Sequence, residues 1–293
     1  MNTKEIKIGN VKIGGGNSVS IQSMANVKTA DYEKCIEQIN KLTAAGCNII
    51  RVAVPDEESA KAISKIKAKI SIPLVADIHF DYRLALESIE NGVDKIRINP
   101  GNIGSEEGIK LLCDKAREYK IPIRIGVNSG SIEKDILKKY SHPTSEAMIE
   151  SAKRHVDILN KFDFDDIVIS LKASNVKNTI DVYRLAAKTF KYPLHLGVTE
   201  AGTYLAGTVK SSIALGTLLS EGIGDTIRVS LTDDPINEVY VGREILKSLG
   251  MLKNAPYMVS CPTCARCNIN LISLAKKVEE YLKDVNKPIT VAV

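Results

Sequence analysis

One pattern of apolar and polar positions recurs along the chain: a short apolar run closes on one or two polar residues, and a longer segment with helical spacing follows. In residues 94–101, two isoleucines alternate with Arg97 and Asn99, and a Pro-Gly pair ends the run. A buried strand holds such polar side chains only if they face a polar partner or a ligand. The run therefore predicts a strand whose carboxyl end carries functional groups.

Seven other apolar runs end in the same way. Their polar residues are Gln22 and Ser23 in 19–24, Arg51 in 48–54, Asp77 in 73–78, Arg124 and Asn128 in 122–128, Lys172 in 166–172, Thr199 and Glu200 in 193–200, and Arg228 and Ser230 in 226–231. A single charged residue in a strand is more often paired with a neighbouring charge than functional. Repetition in eight strands favours one shared site.

Helical spacing follows each run, and the predicted helices are 31–45, 57–69, 82–90, 105–119, 144–162, 178–190, 209–221 and 235–249. Strand starts recur at roughly 20 to 45 residues, which is the length of one βα unit. Eight such units predict an α/β fold, a closed (β/α)8 TIM-type barrel over residues 1–250. A doubly wound open sheet is the alternative, but it normally shows a Gly-rich phosphate turn after an early strand.

Three segments fall outside this rhythm. Residues 4–17 predict a short hairpin or lid, because apolar residues flank a Gly-Asn turn. Residues 129–143 are a longer polar connection, and the helix after it carries His155 among charged residues, which predicts a solvated helix. Residues 251–293 contain a linker, a strand at 257–260, a cysteine cluster, a helix at 270–283 and an apolar strand at 289–293. They predict a partial C-terminal α+β domain with a continuation beyond Val293, because so short a segment cannot bury a core alone.

Composition narrows the classes of function. A chain of 293 residues with 44% hydrophobic and 26% charged residues can bury one barrel-sized core and a small appendage. A net charge of +5, no Trp and only 5% aromatic residues argue against nucleic-acid binding. The sequence shows neither a membrane-spanning stretch nor the apolar core of a signal peptide, so we expect a cytoplasmic protein.

If the chain forms a barrel, the polar strand ends lie close together, because the carboxyl ends of all barrel strands surround one open end of the barrel, its mouth. Five cationic side chains would converge there: Arg51, Arg97, Arg124, Lys172 and Arg228. So many like charges repel one another by several kcal/mol, so an anion must normally relieve the repulsion. The planar guanidinium group of arginine binds two oxygens at once, which favours phosphate or diphosphate as that anion. Asp77 would either neutralise two cations or act in catalysis, and Glu200 lies on a turn where it can exchange a proton. His79 and His195 lie beside strand ends but are more often structural.

The six cysteines form two groups. Three of them lie singly in apolar segments with a regular period, so we expect them to be small residues of the core: Cys35, Cys47 and Cys113. The other three, Cys261, Cys264 and Cys267, have a C-x2-C-x2-C spacing that suits one metal centre. Such thiolates ligate an iron–sulfur cluster or zinc, although zinc normally needs a second Cys or His pair that is not found here.

Seven segments resemble the 4-hydroxy-3-methylbut-2-enyl diphosphate synthase family, and the likeness runs along the whole chain. They are RVAVP at 51–55, DIHF at 77–80, RINPG at 97–101, RIGVN at 124–128, HLGVTEAG at 195–202, GIGDTIRVS at 222–230 and SCPTC at 260–264. The resemblance implies a (β/α)8 barrel joined to a [4Fe-4S] domain, in a homodimer where the cluster domain of one subunit closes the barrel mouth of the other. It also implies reductive ring opening and dehydration of 2-C-methyl-D-erythritol 2,4-cyclodiphosphate in non-mevalonate isoprenoid biosynthesis, with electrons from reduced flavodoxin or ferredoxin.

The resemblance also implies roles for individual residues. The five cations would hold the diphosphate, and four residues would supply neutral donors, namely Asn99, Asn128, Thr199 and Ser230. Asp77 would lie close to the substrate hydroxyl groups, and Glu200 would be the acid near the breaking C–O bond. Cys261 and Cys264 would be two ligands of the cluster, in an incomplete [4Fe-4S]-binding domain over residues 251–293.

Two departures from the family pattern bear on activity. The family's third cluster Cys and its cluster Glu follow a strand like 289–293, in a segment that these residues do not include, and Cys267 stands where the family usually has no thiol. We therefore expect a polypeptide of these 293 residues to hold no stable [4Fe-4S] cluster and to be inactive alone. Two further hypotheses are a diphosphate-binding barrel fragment without catalysis and a non-redox TIM-barrel enzyme of the pterin or aldol type.

Overall fold

The computed structural model of the protein describes residues 3–99, 101–282, 285 and 287–293. The chain divides into two compact units, Met1–Arg243 and Glu244–Val293.

An antiparallel hairpin opens the first unit. β1 (Ile6–Ile8) pairs with β2 (Val11–Ile13) across a turn in which Gly9 has a φ of +55°. This left-handed conformation is readily adopted by glycine, and a Gly-Asn pair therefore suits the turn. The hairpin predicted for residues 4–17 is confirmed.

Eight parallel strands form the barrel that follows. They are β3 (Ser20–Met24), β4 (Ile49–Ala53), β5 (Leu74–Asp77), β6 (Lys95–Ile98), β7 (Ile123–Asn128), β8 (Ile167–Lys172), β9 (His195–Leu196) and β10 (Thr226–Ile227). They pair in the order β8-β7-β6-β5-β4-β3-β10-β9. A parallel bridge between Ile169 and Leu194 joins β8 to the start of β9, and Ile169 N–H donates to the Pro193 carbonyl at 2.9 Å. The sheet is closed, so the barrel prediction is confirmed and the open doubly wound sheet is excluded.

Helices alternate with the strands. They are α1 (Tyr32–Ala44), α2 (Glu57–Lys67), α3 (Tyr82–Glu90), α4 (Glu106–Glu118), α5 (Lys134–Tyr140), α6 (Ser145–Asn160), α7 (Val176–Thr189), α8 (Tyr204–Ser220) and α9 (Pro235–Ser248). Local sequence explains several of their starts. The Asp56 carboxylate accepts from Ser59 N–H at 2.8 Å before α2, and the Ser105 hydroxyl accepts from Gly108 N–H at 3.2 Å before α4.

Two helices differ from the prediction. α5, together with the short 3-10 helix Ser129–Ser131, lies in the connection 129–143, where the sequence pattern predicts no element. It buries only Ile136, so its apolar period is too short to detect. α8 begins at Tyr204 rather than at residue 209, because the Gly and Thr in its first turns lower the helix propensity that the sequence shows there.

His155 corrects another expectation. The sequence pattern predicts a solvated helix at this position, but His155 is 1% exposed. α6 buries Ala152, Val156 and Leu159 on the same face, and the charged neighbours in the sequence occupy the other face.

The hairpin closes the amino-terminal end of the barrel. Its buried residues Ile6, Ile8 and Ile13 form one apolar cluster with three residues near the starts of barrel strands, namely Ile49, Val75 and Val168. The hairpin therefore lies at the end opposite to the strand carboxyl ends, and it is not a lid over them.

Three cysteines belong to the core of the barrel unit, as predicted. Cys35, Cys47 and Cys113 are 0%, 3% and 0% exposed. Burial raises the pKa of Cys35 and Cys47 to about 11 and that of Cys113 to about 12, so these thiols are unreactive at neutral pH.

The second unit contains a parallel pair of strands and a helix. β11 (Tyr257–Val259) pairs with β12 (Thr290–Ala292), and α10 (Leu271–Leu282) lies between them in sequence. Both predicted strands and the helix are confirmed, although Lys283 at the end of the predicted helix lies outside the described residues. Within the described parts of the chain, no helix is both long and apolar enough to cross a bilayer.

Candidate active site

The register of neighbouring strands brings ionisable side chains into the barrel interior. Asp77 of β5 lies opposite Arg97 of β6, and Arg97 lies opposite Arg124 of β7. Side chains alternate between the two faces of a strand. Ile96 and Ile98 therefore pack toward the helices, and Arg97 points into the barrel.

Asp77 lies between two of the predicted cations. Its Oδ1 is 3.0 Å from Nη1 of Arg97, and its Oδ2 is 3.5 Å from Nη1 of Arg51. Burial alone would raise the pKa of Asp77, but the neighbouring arginines, Arg51 first among them, and His79, whose Nε2 is 3.6 Å from Oδ1, hold it below its usual range. Asp77 is therefore a carboxylate at neutral pH and has no proton to donate.

Each of the five predicted cations lies within electrostatic reach of at least three others, and we call them the cation cluster: Arg51, Arg97, Arg124, Lys172 and Arg228. Arg124 and Lys172 are only 1% and 7% exposed. No ion pair joins either of them to a carboxylate among the described residues. Burial, and then the positive charge of the other members, lower the pKa of Lys172 and of Arg124 well below their usual values. The barrel mouth thus holds more positive charge than its own acids compensate.

Two glycines leave room for the long side chains of the cluster. A Cβ on Gly126 would lie 2.6 Å from Nε of Arg97, and one on Gly197 would lie 2.8 Å from Nζ of Lys172. Either distance is too short for a real contact. Glycine at these positions in β7 and after β9 is therefore part of the site, although the sequence pattern of polar strand ends does not single it out.

Glu238 is a site residue that sequence reasoning missed. Its Oε1 is 3.6 Å from Nη2 of Arg228 and accepts from Leu231 N–H at 3.1 Å, and its Oε2 accepts from the Ser23 hydroxyl at 3.1 Å. Glu238 lies in the first turn of α9, where a carboxylate usually interacts with the helix dipole in solvent. Only the packing of α9 turns it inward, to 6% exposure.

A second missed group lies deeper in the barrel. Lys95 is 0% exposed, and its Nζ donates to Oε1 of Gln22 at 3.2 Å. Burial, Arg124 and Arg51 lower the pKa of Lys95 well below its usual value. The sequence could have identified Lys95 by its position two residues before Arg97, because residues two apart in a strand have their side chains on the same face. His195 is also 0% exposed, and burial, together with the positive charge of Arg124 and Lys172, lowers its pKa well below the usual value.

The four predicted neutral donors all stand at or just beyond strand carboxyl ends: Asn99, Asn128, Thr199 and Ser230. Asn99 is 8% exposed, and its Oδ1 accepts from Gly101 N–H at 3.1 Å. The other three are half-buried. Their backbone positions follow directly from where the sequence pattern ends each strand.

Glu200 differs from the other predicted residues. It is exposed on the segment after β9, and its φ of +52° is uncommon for a residue other than glycine. No hydrogen bond or ion pair joins its carboxyl group to another residue in the described ranges. The structure therefore keeps Glu200 apart from the ion pairs of the cation cluster and leaves its carboxyl group accessible.

The cysteine cluster lies in the second unit and offers three thiols to a metal centre. Cys261 and Cys264 are exposed and Cys267 is half-buried, with its Sγ donating to the Ile269 carbonyl at 3.3 Å. Backbone and side-chain hydrogen bonds from Arg266 lower the pKa of Cys264, which favours a thiolate ligand. However, no three His, Cys, Asp or Glu residues of the described chain are gathered as a metal site. The residues present therefore fit a [4Fe-4S] cluster only in part.

Family profiles match both units of the chain. The profile described as GcpE TIM-barrel domain matches residues 3–243, and the profile described as GcpE protein C-terminal domain matches residues 257–293.

Curated relatives agree with the profiles. The chain is 60% identical over 291 residues to a protein of Clostridium acetobutylicum named 4-hydroxy-3-methylbut-2-en-1-yl diphosphate synthase (flavodoxin), an alignment that covers 99% of this chain and 83% of that protein. It is 61% identical to the protein of the same name from Caldanaerobacter subterraneus, with 99% of this chain and 82% of that protein covered.

Solved structures with a similar fold include enzymes of other families. A dihydropteroate synthase from Yersinia pestis has a TM-score of 0.59 at 10% identity, covering 84% of this chain and 98% of that chain. A phospho-2-dehydro-3-deoxyheptonate aldolase from Thermotoga maritima has a TM-score of 0.56 at 15% identity, covering 86% and 74%. At such identities the likeness shows a shared barrel and lends no support to pterin or aldol chemistry. The profiles and the curated relatives instead confirm the resemblance of the seven segments, and the chain belongs to the GcpE family of 4-hydroxy-3-methylbut-2-en-1-yl diphosphate synthases.

Proposed function

We propose that this protein acts as a 4-hydroxy-3-methylbut-2-enyl diphosphate synthase and that its barrel mouth binds 2-C-methyl-D-erythritol 2,4-cyclodiphosphate. The observation that carries the proposal is the meeting of the cation cluster around Asp77. The reaction opens the cyclic diphosphate at a C–O bond and removes a hydroxyl group as water, while electrons and protons enter.

The charge at the mouth supports a diphosphate ligand. Five cations face two carboxylates, Asp77 and Glu238, which leaves an excess of three positive charges if all are ionised. A cyclic diphosphate brings one negative charge on each phosphate and several acceptor oxygens. Arg forks bind such oxygens in pairs, and the buried surroundings strengthen each contact relative to water.

Each residue has a role in this proposal. The cation cluster holds the two phosphates, and the four neutral donors named above orient them. Asp77, already a carboxylate, keeps Arg51 and Arg97 in place and accepts hydrogen bonds from substrate hydroxyl groups. Glu200 supplies the proton near the breaking C–O bond, because its accessible carboxyl group is not held by an ion pair.

The reduction requires an electron donor, and the names of the curated relatives specify flavodoxin. We infer that reduced flavodoxin serves this protein, with ferredoxin as the alternative from the same redox class. Cys261 and Cys264 occupy the family's positions for cluster ligands, and a [4Fe-4S] cluster, when bound, supplies electron transfer. Because the described residues gather no third ligand, we assign no step of the reaction to it.

The organisation of the protein follows from the same proposal. We infer a substrate-binding barrel over residues 1–250 and a [4Fe-4S]-binding domain over residues 251–293, in which Cys261 and Cys264 are two of the cluster ligands. We also infer a cytoplasmic homodimer, as expected for a biosynthetic enzyme of this family.

Arg97→Ala tests the anion site. Loss of a charge-assisted contact to phosphate costs about 1.5 to 3 kcal/mol, so calorimetric titration with the cyclodiphosphate should give a Kd at least about tenfold higher. Arg83→Ala is the matched control, because the Arg83 side chain is 76% exposed and, among the described residues, bonds to Asp81 alone, near the same end of β5. An Arg97→Ala variant that binds the cyclodiphosphate as tightly as the wild type would contradict the proposal.

A further inference from the structure

A pair formed by a buried histidine and a half-buried glutamate lies outside the cation cluster, between the start of α5 and α6. Nε2 of His155 is 2.9 Å from Oε1 of Glu133, with His155 only 1% exposed. Burial by itself would raise the pKa of Glu133, but the close approach of His155, and then of Ser151, lowers it to about 2. Glu133 is thus a charged carboxylate that His155 holds in one place, and nothing in the proposed reaction uses it.

The pair packs against the residue that orients Asn99. A Cβ on Gly101 would lie 3.1 Å from Nε2 of His155, 3.4 Å from Oδ1 of Asn99 and 3.9 Å from Oε1 of Glu133. Gly101 N–H in turn donates to Oδ1 of Asn99 at 3.1 Å. Because this contact engages the amide oxygen, the Nδ2 donors of Asn99 are the part of the amide left for an anion.

The pair also reaches the next strand connection. Glu133 is the residue immediately before α5, and Asn128 ends β7 only a few residues earlier. His155 comes from α6, on the far side of that connection. The pair therefore lies within the connection between β7 and β8, and its approach to Gly101 joins it to the connection after β6, which carries Asn99.

We propose that Glu133 and His155 are positioning residues for diphosphate binding. They act through Gly101 on the direction of the Asn99 amide and do not touch the substrate. This inference rests on the proposed function, because it assumes that Asn99 meets a diphosphate oxygen.

Four variants of the chain, with calorimetric titration of the cyclodiphosphate and a thermal melt of each, test this inference. His155→Leu removes the contact, whereas His155→Gln keeps an N–H donor for Glu133. Gly101→Ala leaves the pair intact but presses a methyl group against it, at an exposed position with ordinary backbone geometry. Asp135→Asn is the matched control, because Asp135 also ties α5 to α6, through Arg154 at 2.7 and 3.1 Å, but on the solvent side.

We expect the Kd of the cyclodiphosphate to rise about five- to tenfold in His155→Leu and Gly101→Ala, as for the loss of one hydrogen bond to an anion. His155→Gln should recover most of the affinity, and Asp135→Asn should keep the wild-type Kd. The Tm of Gly101→Ala should stay close to that of the wild type.

The possible outcomes separate the inference from the function on which it rests. If Gly101→Ala and His155→Leu keep the wild-type Kd while Arg97→Ala loses affinity, the pair is only a structural tie and the inference is overturned. If His155→Leu does not fold, Gly101→Ala decides by itself. If neither Arg97→Ala nor Gly101→Ala changes the Kd, or if the wild-type chain does not bind the cyclodiphosphate, the proposed function falls as well.

Discussion

Replacing Asp77 by asparagine should destabilise the ligand-free barrel and at the same time tighten its binding of diphosphate. Asp77 is 4% exposed and lies 3.0 Å from Arg97 and 3.5 Å from Arg51. At an effective dielectric constant of about 20, each contact has a Coulomb energy of about 5 kcal/mol, which desolvation of the ions offsets in part. Removing one partner of a buried ion pair costs about 3 to 5 kcal/mol, and we expect a loss of that size in the free energy of unfolding.

Binding should change in the opposite direction. Asp77 competes with an incoming anion for Arg51 and Arg97, and asparagine does not. Inorganic pyrophosphate has no carbon-bound hydroxyl group that could donate a hydrogen bond to Asp77, so it loses no contact when the carboxylate is replaced. Pyrophosphate should therefore raise the free energy of unfolding more in Asp77→Asn than in the wild type.

Urea unfolding at pH 7, with and without pyrophosphate, measures both effects. Asp81→Asn is the control, because Asp81 pairs with the exposed Arg83 and should contribute under about 1 kcal/mol. A loss below about 1 kcal/mol in Asp77→Asn, or a smaller pyrophosphate effect than in the wild type, would refute the electrostatic argument.

The difference in unfolding free energy between the wild type and Asp77→Asn should depend on pH in a definite direction. The pKa of Asp77 is lowered in the folded protein, so the unfolded chain binds its proton more readily. The stability that Asp77 contributes is therefore fully present above the unfolded pKa of about 3.9 and is lost as the pH falls toward the folded value. The wild type and Asp77→Asn should converge in stability as the pH drops below about 4.

Two further predictions concern the barrel interior. The pKa of buried Lys95 is lowered, so the unfolded state binds more protons than the folded state just below pH 10.5, and the stability due to this residue rises with pH there. Lys95→Met should remove up to about 1.4 kcal/mol per pH unit from the slope of the unfolding free energy in that range. An unchanged slope in urea titrations would show that Lys95 stays charged. In Gly126→Ala, the new methyl group displaces the Arg97 guanidinium, so the Kd of the cyclodiphosphate should rise about tenfold, and the Tm should fall because the ion pair of Arg97 with Asp77 is weakened. Gly216→Ala, a helical position of α8 with no neighbouring atom within 4 Å, is its control, and equal Kd values in the two variants would contradict the steric argument.

The strands and most helices were predictable because their signals are local. Alternation of apolar and polar residues has the period of a strand, and it located β6 with Arg97 pointing to one face and Ile96 and Ile98 to the other. The cap residues Asp56 and Ser105 mark helix starts in the same local way. α5 was missed because a helix that buries a single side chain has no period to recognise.

The supporting residues of the candidate site were not predictable from the same signals. Glu238 looks like an ordinary acid in the first turn of a helix, and His155 looks like a polar residue among charges. Their neighbours in space come from distant parts of the chain: Ser23 lies 215 residues from Glu238. Burial of a polar side chain depends on which face of its helix packs against the barrel. The sequence near Glu238 or His155 does not show which face that is.

By itself the sequence determined the number and order of βα units, the polar residue at each strand end, and the family, because each depends on spacing along the chain or on whole motifs. Only the tertiary structure decided which charges share a partner. It placed Asp77 between Arg51 and Arg97 and turned Glu238 toward Arg228. Among the residues that the structure describes, it left both Lys172 and Glu200 without an ion pair. The physical reason is that Coulomb and desolvation energies depend on distance and burial in three dimensions, and barrel closure sets both.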